Sequence, residues 1–135
     1  MARKPKRKNL IKKLDAVFSK YIRLRDADQE GYCRCATCGE KTHWTKIQAG
    51  HFISRKHYST RWDERNVHAQ CVACNVFKYG EQYKYSLYLG ENLSKELYNK
   101  SLKTAKFTDI EIMEMIEEYN EKSKDFSFHT WVFLV

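Results

Sequence analysis

The sequence predicts an α+β fold in which two Cys-x2-Cys pairs staple a short ββα core, with flanking N- and C-terminal helices packed on it. Three observations carry this. Cys35-x2-Cys38 and Cys71-x2-Cys74 have 32 residues between them and can close into one tetrahedral site. Four thiolates suit Zn²⁺ and leave no open position for a substrate, so the metal would be structural. Apolar residues recur at helical spacing near both ends, at Leu10, Leu14, Val17, Phe18 and Tyr21 and again at Ile112, Met115, Ile116 and Tyr119. Between the cysteine pairs, two short stretches read as strands.

Residues 1–8 carry Arg3, Lys4, Lys6, Arg7 and Lys8 and read as a flexible basic arm. Asn9 is the candidate cap of the first helix, and Gly31 its candidate stop. The first cysteine pair follows, with Gly39 as a turn signal. Residues 45–53 are expected as a strand and 54–62 as a polar, basic loop. A second strand over 64–70 would put Glu64, Asn66 and His68 on one face. The second cysteine pair opens an expected helix over 73–89, rich in Tyr and Lys. Ser94 is a candidate cap for a short helix ending near residue 102. Thr108-Asp-Ile-Glu111 is a capping box that starts a helix ending near Lys124. The organisation is thus an arm (1–8), one zinc-containing domain (9–125, core 33–84) and an apolar tail (126–135). A core of that size is marginal on hydrophobic burial alone, and zinc would supply the deficit. The tail is expected to cover the core or to pair with another subunit, because exposed it would invite aggregation.

A single Pro, few Gly and 42% hydrophobic residues argue for a folded body rather than disorder. Two Cys-x2-Cys pairs among five cysteines suit a reducing cytosol and metal better than a disulfide scaffold. Cys33 reads as a bystander, the weaker alternative being that it replaces Cys35 as a ligand. No secretory signal is visible, and the longest apolar run, Trp131 to Val135, cannot span a membrane, so no membrane partner is expected. The net charge of +8 is uneven. Residues 41–84 hold eight Lys and Arg against Asp63, Glu64 and Glu81, whereas 109–125 hold seven acids against two lysines. Positive charge therefore gathers at the N-terminal arm and around the cysteine region, which suits a polyanion such as DNA. Arg55, Lys56, Arg61, Arg65 and Lys78 are the candidate phosphate contacts. Tyr79, Tyr83, Tyr85 and Tyr88 interleave with Lys78 and Lys84, a mixture that can stack on bases but more often packs a helix.

The order of the remaining polar residues carries a resemblance. His51 precedes Asn66, which precedes Cys71-x2-Cys74-Asn75 with Lys78 three further on. That order resembles the HNH (ββα-metal, treble-clef-like) nucleases. More specifically, Ala49-Gly-His51, the run from Arg61 to Asn75, Tyr21-Ile-Arg-Leu-Arg-Asp26 and Cys35-x2-Cys38-Gly39 resemble the phage NinG/Rap recombination proteins over about residues 10–120. The resemblance implies a phage- or prophage-encoded endonuclease in the bacterial cytoplasm. It would cut branched intermediates such as Holliday junctions and D-loops with a catalytic Mg²⁺ or Mn²⁺. It would work beside other recombination proteins, and symmetric cutting of a four-way junction would suit a homodimer.

By that resemblance His51 is the general base, Asn66 orients it through the strand pair, and Asn75 ligates the catalytic divalent ion. Two positions depart from the pattern. Many HNH nucleases carry an acidic ligand directly before the histidine, where this chain has Gly50. NinG-like chains usually have an Asp three before it, where this chain has Gln48. Glu64 and His68 are the candidate replacements. His43, His57 and His129 read as structural. The rival to a nuclease is a non-catalytic zinc module that binds branched or single-stranded DNA; a protein-interaction zinc finger is disfavoured by the basic charge.

Overall fold

The computed structural model describes residues 3–126. Helices α1 (Arg7–Arg25) and α5 (Asp109–Lys124) pair along their apolar stripes. Leu10, Leu14, Phe18 and Ile22 meet Ile112, Ile116 and Tyr119, and Trp62 and Val67 close this core from the central region. The Thr108–Glu111 capping box forms as expected. By contrast α1 starts at Arg7 rather than after Asn9, without a side-chain cap. The Arg7 guanidinium instead donates to Asp109 (2.8 Å) and to the Phe107 carbonyl (2.6 Å), tying the starts of the two helices together. Arg7 and Lys8 therefore belong to the helix and not to the arm.

β1 (Tyr32–Arg34) and β2 (Lys41–His43) form an antiparallel hairpin around the first cysteine pair, an element the sequence reading had only as a turn at Gly39. β3 (Gln48–His51) and β4 (Val67–Gln70) pair antiparallel, with Gln48 opposite Gln70 and His51 opposite Val67. Both are shorter than expected. The chain turns before β3, where the Ile47 amide donates to His43, and before β4, where the Asn66 amide donates to Asp63. The expected loop 54–62 contains the one-turn helix α2 (Tyr58–Arg61).

The expected helix over 73–89 is broken. Ala73–Phe77 is a π-helical turn, and α3 starts afresh at Gln82–Leu89. Between them Tyr79, Gly80 and Glu81 have φ of 54°, 89° and 49°. Two of these three are not glycine, so the left-handed backbone costs on the order of 1–2 kcal/mol at each. Two 2.8 Å bonds hold it: the Gly80 amide donates to the Cys74 carbonyl, and Gln70 Nε2 donates to the Gly80 carbonyl. α4 (Glu91–Ser101) follows Gly90 directly. Ser94 lies inside α4, its hydroxyl donating to Gly90 rather than capping.

The run Tyr21–Asp26 locks α1 to the central region. Tyr21 donates to Glu64 (2.9 Å), Arg25 to the carbonyls of Glu64 and Val67 (2.8 Å each), and Asp26 accepts from the Ala69 amide (2.8 Å). Among the described residues no helix is long and apolar enough to cross a membrane. Of the apolar tail only Phe126 is described, packed beside Tyr21; the expectation for 127–135 lies outside the described residues.

Candidate active site and a four-cysteine cluster

The β1–β2 hairpin and the π-helical turn bring Cys35, Cys38, Cys71 and Cys74 together, with all four sulfurs within 4.8 Å of one another. Cys38 and Cys71 sulfurs are 3.7 Å apart, close to the edge of about 3.8 Å that a tetrahedron with ~2.3 Å Zn–S arms requires. Burial and the neighbouring thiols push Cys71 up to about 12. Burial opposes ionisation of Cys35 too, but the Thr37 hydroxyl and backbone amides hold it down to about 6. A thiolate forms readily at Cys35, whereas Cys38 and Cys71 resist it, a conflict that a cation among them would relieve. The four cysteines thus fit a metal ion such as zinc. Cys33 stands apart, fully buried against Ile47 and Ala69, its thiol donating to the Arg23 carbonyl and pushed up to about 11 by burial.

Beside the cluster lies an open cleft of about 720 Å³. His51 and Gln48 of β3, Arg55, Arg23, and Asn75 of the π-helical turn all line it. The adjacency follows from the chain: Asn75 comes directly after the cluster residue Cys74, whose turn sits over the start of β3. Asn75 Nδ2 donates to Gln48 Oε1 (2.8 Å), which leaves Asn75 Oδ1 without a hydrogen-bond partner among the described residues. His51 Nε2 donates to the Arg61 carbonyl (2.8 Å), so Nδ1 carries the ring's lone pair. Burial lowers the His51 pKa to about 4, with the Arg55 cation adding to it and the Arg61 carbonyl opposing. The imidazole is therefore neutral and able to accept a proton at neutral pH.

The carbonyl that fixes His51 is itself fixed. Asp15 of α1 accepts from Arg61 Nε (3.1 Å) and from the Trp62 indole (2.9 Å). Asn66 is fully buried and pins the loop between: Ile53 N donates to its oxygen (2.8 Å), and its amide donates to the carbonyls of Ile53 (3.1 Å) and Thr60 (3.0 Å). Sequence reasoning passed over Asp15, although it is the sole acid in an otherwise basic α1.

Other candidates fall elsewhere. Glu64 sits in the turn before β4, not on a strand face with Asn66 and His68. Its carboxylate accepts from Tyr21, Tyr119 and Lys122 of the helix pair, outside the cleft. His68 packs against Tyr85 and Tyr88, with its pKa lowered to about 4 by burial, and does not line the cleft. Arg61 is paired with Asp15, and Arg65 with Asp63 and Glu96. Among the described residues no carboxylate pairs with Arg55, Lys56 or Lys78.

Gly50 has a structural reason. A Cβ there would overlap the Gln70 side chain, whose Cβ would lie 2.8 Å away. Gln70 is fully buried on β4, opposite Gln48 and diagonal to Gly50, and its Nε2 reaches Gly80. No acidic ligand can stand before His51 while Gln70 occupies that space.

Residues 1–128 match the family described as Bacteriophage Lambda NinG protein. Among curated relatives, protein ninG of Salmonella phage P22 is 33% identical over 129 residues, covering 93% of this chain and 61% of the relative. Protein ninG of Escherichia phage lambda is 31% identical over 129 residues, covering 93% and 60%. That of Escherichia phage 933W is 31% identical, covering 93% and 61%. The chain spans about three fifths of the length of these relatives. No solved structure matches it.

Proposed function

The chain belongs to the NinG family, and from that premise we propose a metal-dependent DNA endonuclease of the HNH type, acting on branched intermediates such as Holliday junctions and D-loops in phage recombination. The observation that carries this reading is the His51 tautomer. A half-buried, neutral imidazole whose Nε2 is tied to the Arg61 carbonyl offers Nδ1 alone as a base, at the wall of an open basic cleft.

Each residue then has a task. His51 Nδ1 takes the proton of the water that attacks the phosphodiester. Asp15 and Asn66 hold the loop whose carbonyl sets the tautomer. Asn75 offers Oδ1 to a divalent cation, with Gln48 fixing its amide. A bound Mg²⁺ or Mn²⁺ would neutralise charge on the phosphate and on the leaving oxygen. Arg55, Lys56 and Lys78 take the flanking phosphates. The four cysteines hold a structural Zn²⁺ that fixes Asn75 through its neighbour Cys74. Glu64 and His68 have no part in this site.

The rival, a zinc module that binds branched DNA without cutting, draws support from one observation: among the described residues no carboxylate lines the cleft. Incubating end-labelled four-way junctions and linear duplex with the protein, with and without Mg²⁺ or Mn²⁺, separates them. The nuclease reading predicts metal-dependent nicks near the branch. Binding without nicks would favour the rival.

A further inference from the structure

The loop after the π-helical turn displays a side chain that folding does not use. Tyr79 lines the cleft together with His51, Asn75 and Arg55, yet it is 90% exposed. Of the four tyrosines of this stretch, Tyr85 and Tyr88 are engaged, Tyr79 and Tyr83 are exposed, and of the exposed pair Tyr79 is the one that lines the cleft. Tyr85 is fully buried, with its hydroxyl on the Gly50 carbonyl, and Tyr88 packs on His68. Tyr79 makes no aromatic contact among the described residues. Its backbone is nonetheless held in the left-handed region, in a run of three such residues clamped by Gln70 and Cys74. Gln70 is also the residue that excludes a side chain at Gly50. One buried amide therefore ties the strand bearing His51 to the loop bearing Tyr79.

The charges around this ring suit one ligand chemistry. Arg55 lines the same cleft and Lys78 precedes Tyr79, both exposed and without a carboxylate partner among the described residues. A flat aromatic face beside unpaired cations is the arrangement that holds a nucleotide by its base and its phosphate. In a duplex both faces of a base are covered by its neighbours, so only an unpaired or unstacked base can use such a platform.

We infer that Tyr79 stacks on an unpaired base of the strand whose phosphate enters the His51 cleft, making the site selective for DNA with a nucleotide out of the duplex stack. This rests on the nuclease reading of the cleft. The test uses the full chain without added Mg²⁺ or Mn²⁺, so that the DNA stays intact. The probes are a duplex with one unpaired 2-aminopurine nucleotide and the matched fully paired duplex. Wild type should prefer the unpaired probe by roughly tenfold or more and quench its fluorescence. Tyr79→Ala should bring the preference close to one and abolish the quench. Tyr79→Gly, which also relieves the left-handed backbone, should do the same, and Tyr79→Phe should retain both. Preference and quench persisting in Tyr79→Ala and Tyr79→Gly would overturn the inference, as would a wild type that binds both probes equally. In either case metal-dependent cutting of the same DNA would leave the nuclease reading standing. No DNA binding at all would overturn both.

Discussion

At the scale of the residue, the account turns on His51. Because burial lowers its pKa to about 4, its base form persists well below the usual histidine range. The proposed base must be unprotonated, so activity falls as pH drops through the folded pKa. We expect the acid limb of the cleavage rate to lie near pH 4 rather than near 6.5, measured in single-turnover assays at fixed metal. A limb at 6.5 would contradict a base whose charged form is disfavoured by its surroundings. The departures at Gln48 and Gly50 make unequal predictions. Gln48→Asp would place a carboxylate next to Asn75 and should lower the metal concentration needed for half-maximal cutting by roughly tenfold. Gly50→Ala would clash with Gln70 and destabilise the fold by ~1–3 kcal/mol in urea titrations, with part of the loss recovered in Gly50→Ala/Gln70→Ala. His51, Asn66 and Asn75 were legible in the sequence because a motif orders them. Asp15 was not, since it acts through Arg61 across 46 residues, and neither was Gln70, whose bond to Gly80 belongs to no motif.

At the scale of the element, legibility followed locality. The capping box at Thr108 and the apolar stripes of α1 and α5 are short-range signals, and the helices they announce are present. The breaks are tertiary. β3 and β4 are cut short by turns whose bonds involve His43 and Asp63, and the expected helix over 73–89 yields to a π-helical turn that brings Cys74 to the cluster. Glu64 was misplaced for the same reason: extending β4 back to residue 64 supposed a strand where the chain turns. The loop between β3 and β4 depends on Asn66 more than on any apolar contact. Asn66→Ala would leave buried groups of Ile53 and Thr60 unpaired, and should cost about 2–4 kcal/mol of stability in denaturant unfolding. A loss under about 0.5 kcal/mol would mean that the loop is held by something else.

At the scale of the whole molecule, a helix pair and a centre built on the four-cysteine cluster share the work. The helix pair supplies most of the hydrophobic core, with Trp62 and Val67 reaching into it from the centre, whose own apolar cluster is Cys33, Ile47 and Ala69. One bound metal per chain is expected by elemental analysis, and Cys71→Ser should lose it along with the cooperative unfolding transition. If Arg55, which lines the cleft, and the exposed Lys56 and Lys78 each neutralise one phosphate, DNA affinity should fall ~40-fold between about 50 and 200 mM salt as counterions are released. The central claim is that this cleft cuts DNA using His51. The most direct measurement compares wild type with His51→Ala on end-labelled four-way junctions in Mg²⁺ or Mn²⁺, scoring binding and cutting together. The account predicts branch-proximal, metal-dependent cuts by wild type, and none by His51→Ala at undiminished binding. Cuts of equal rate in both proteins, or binding without cutting in both, would contradict it.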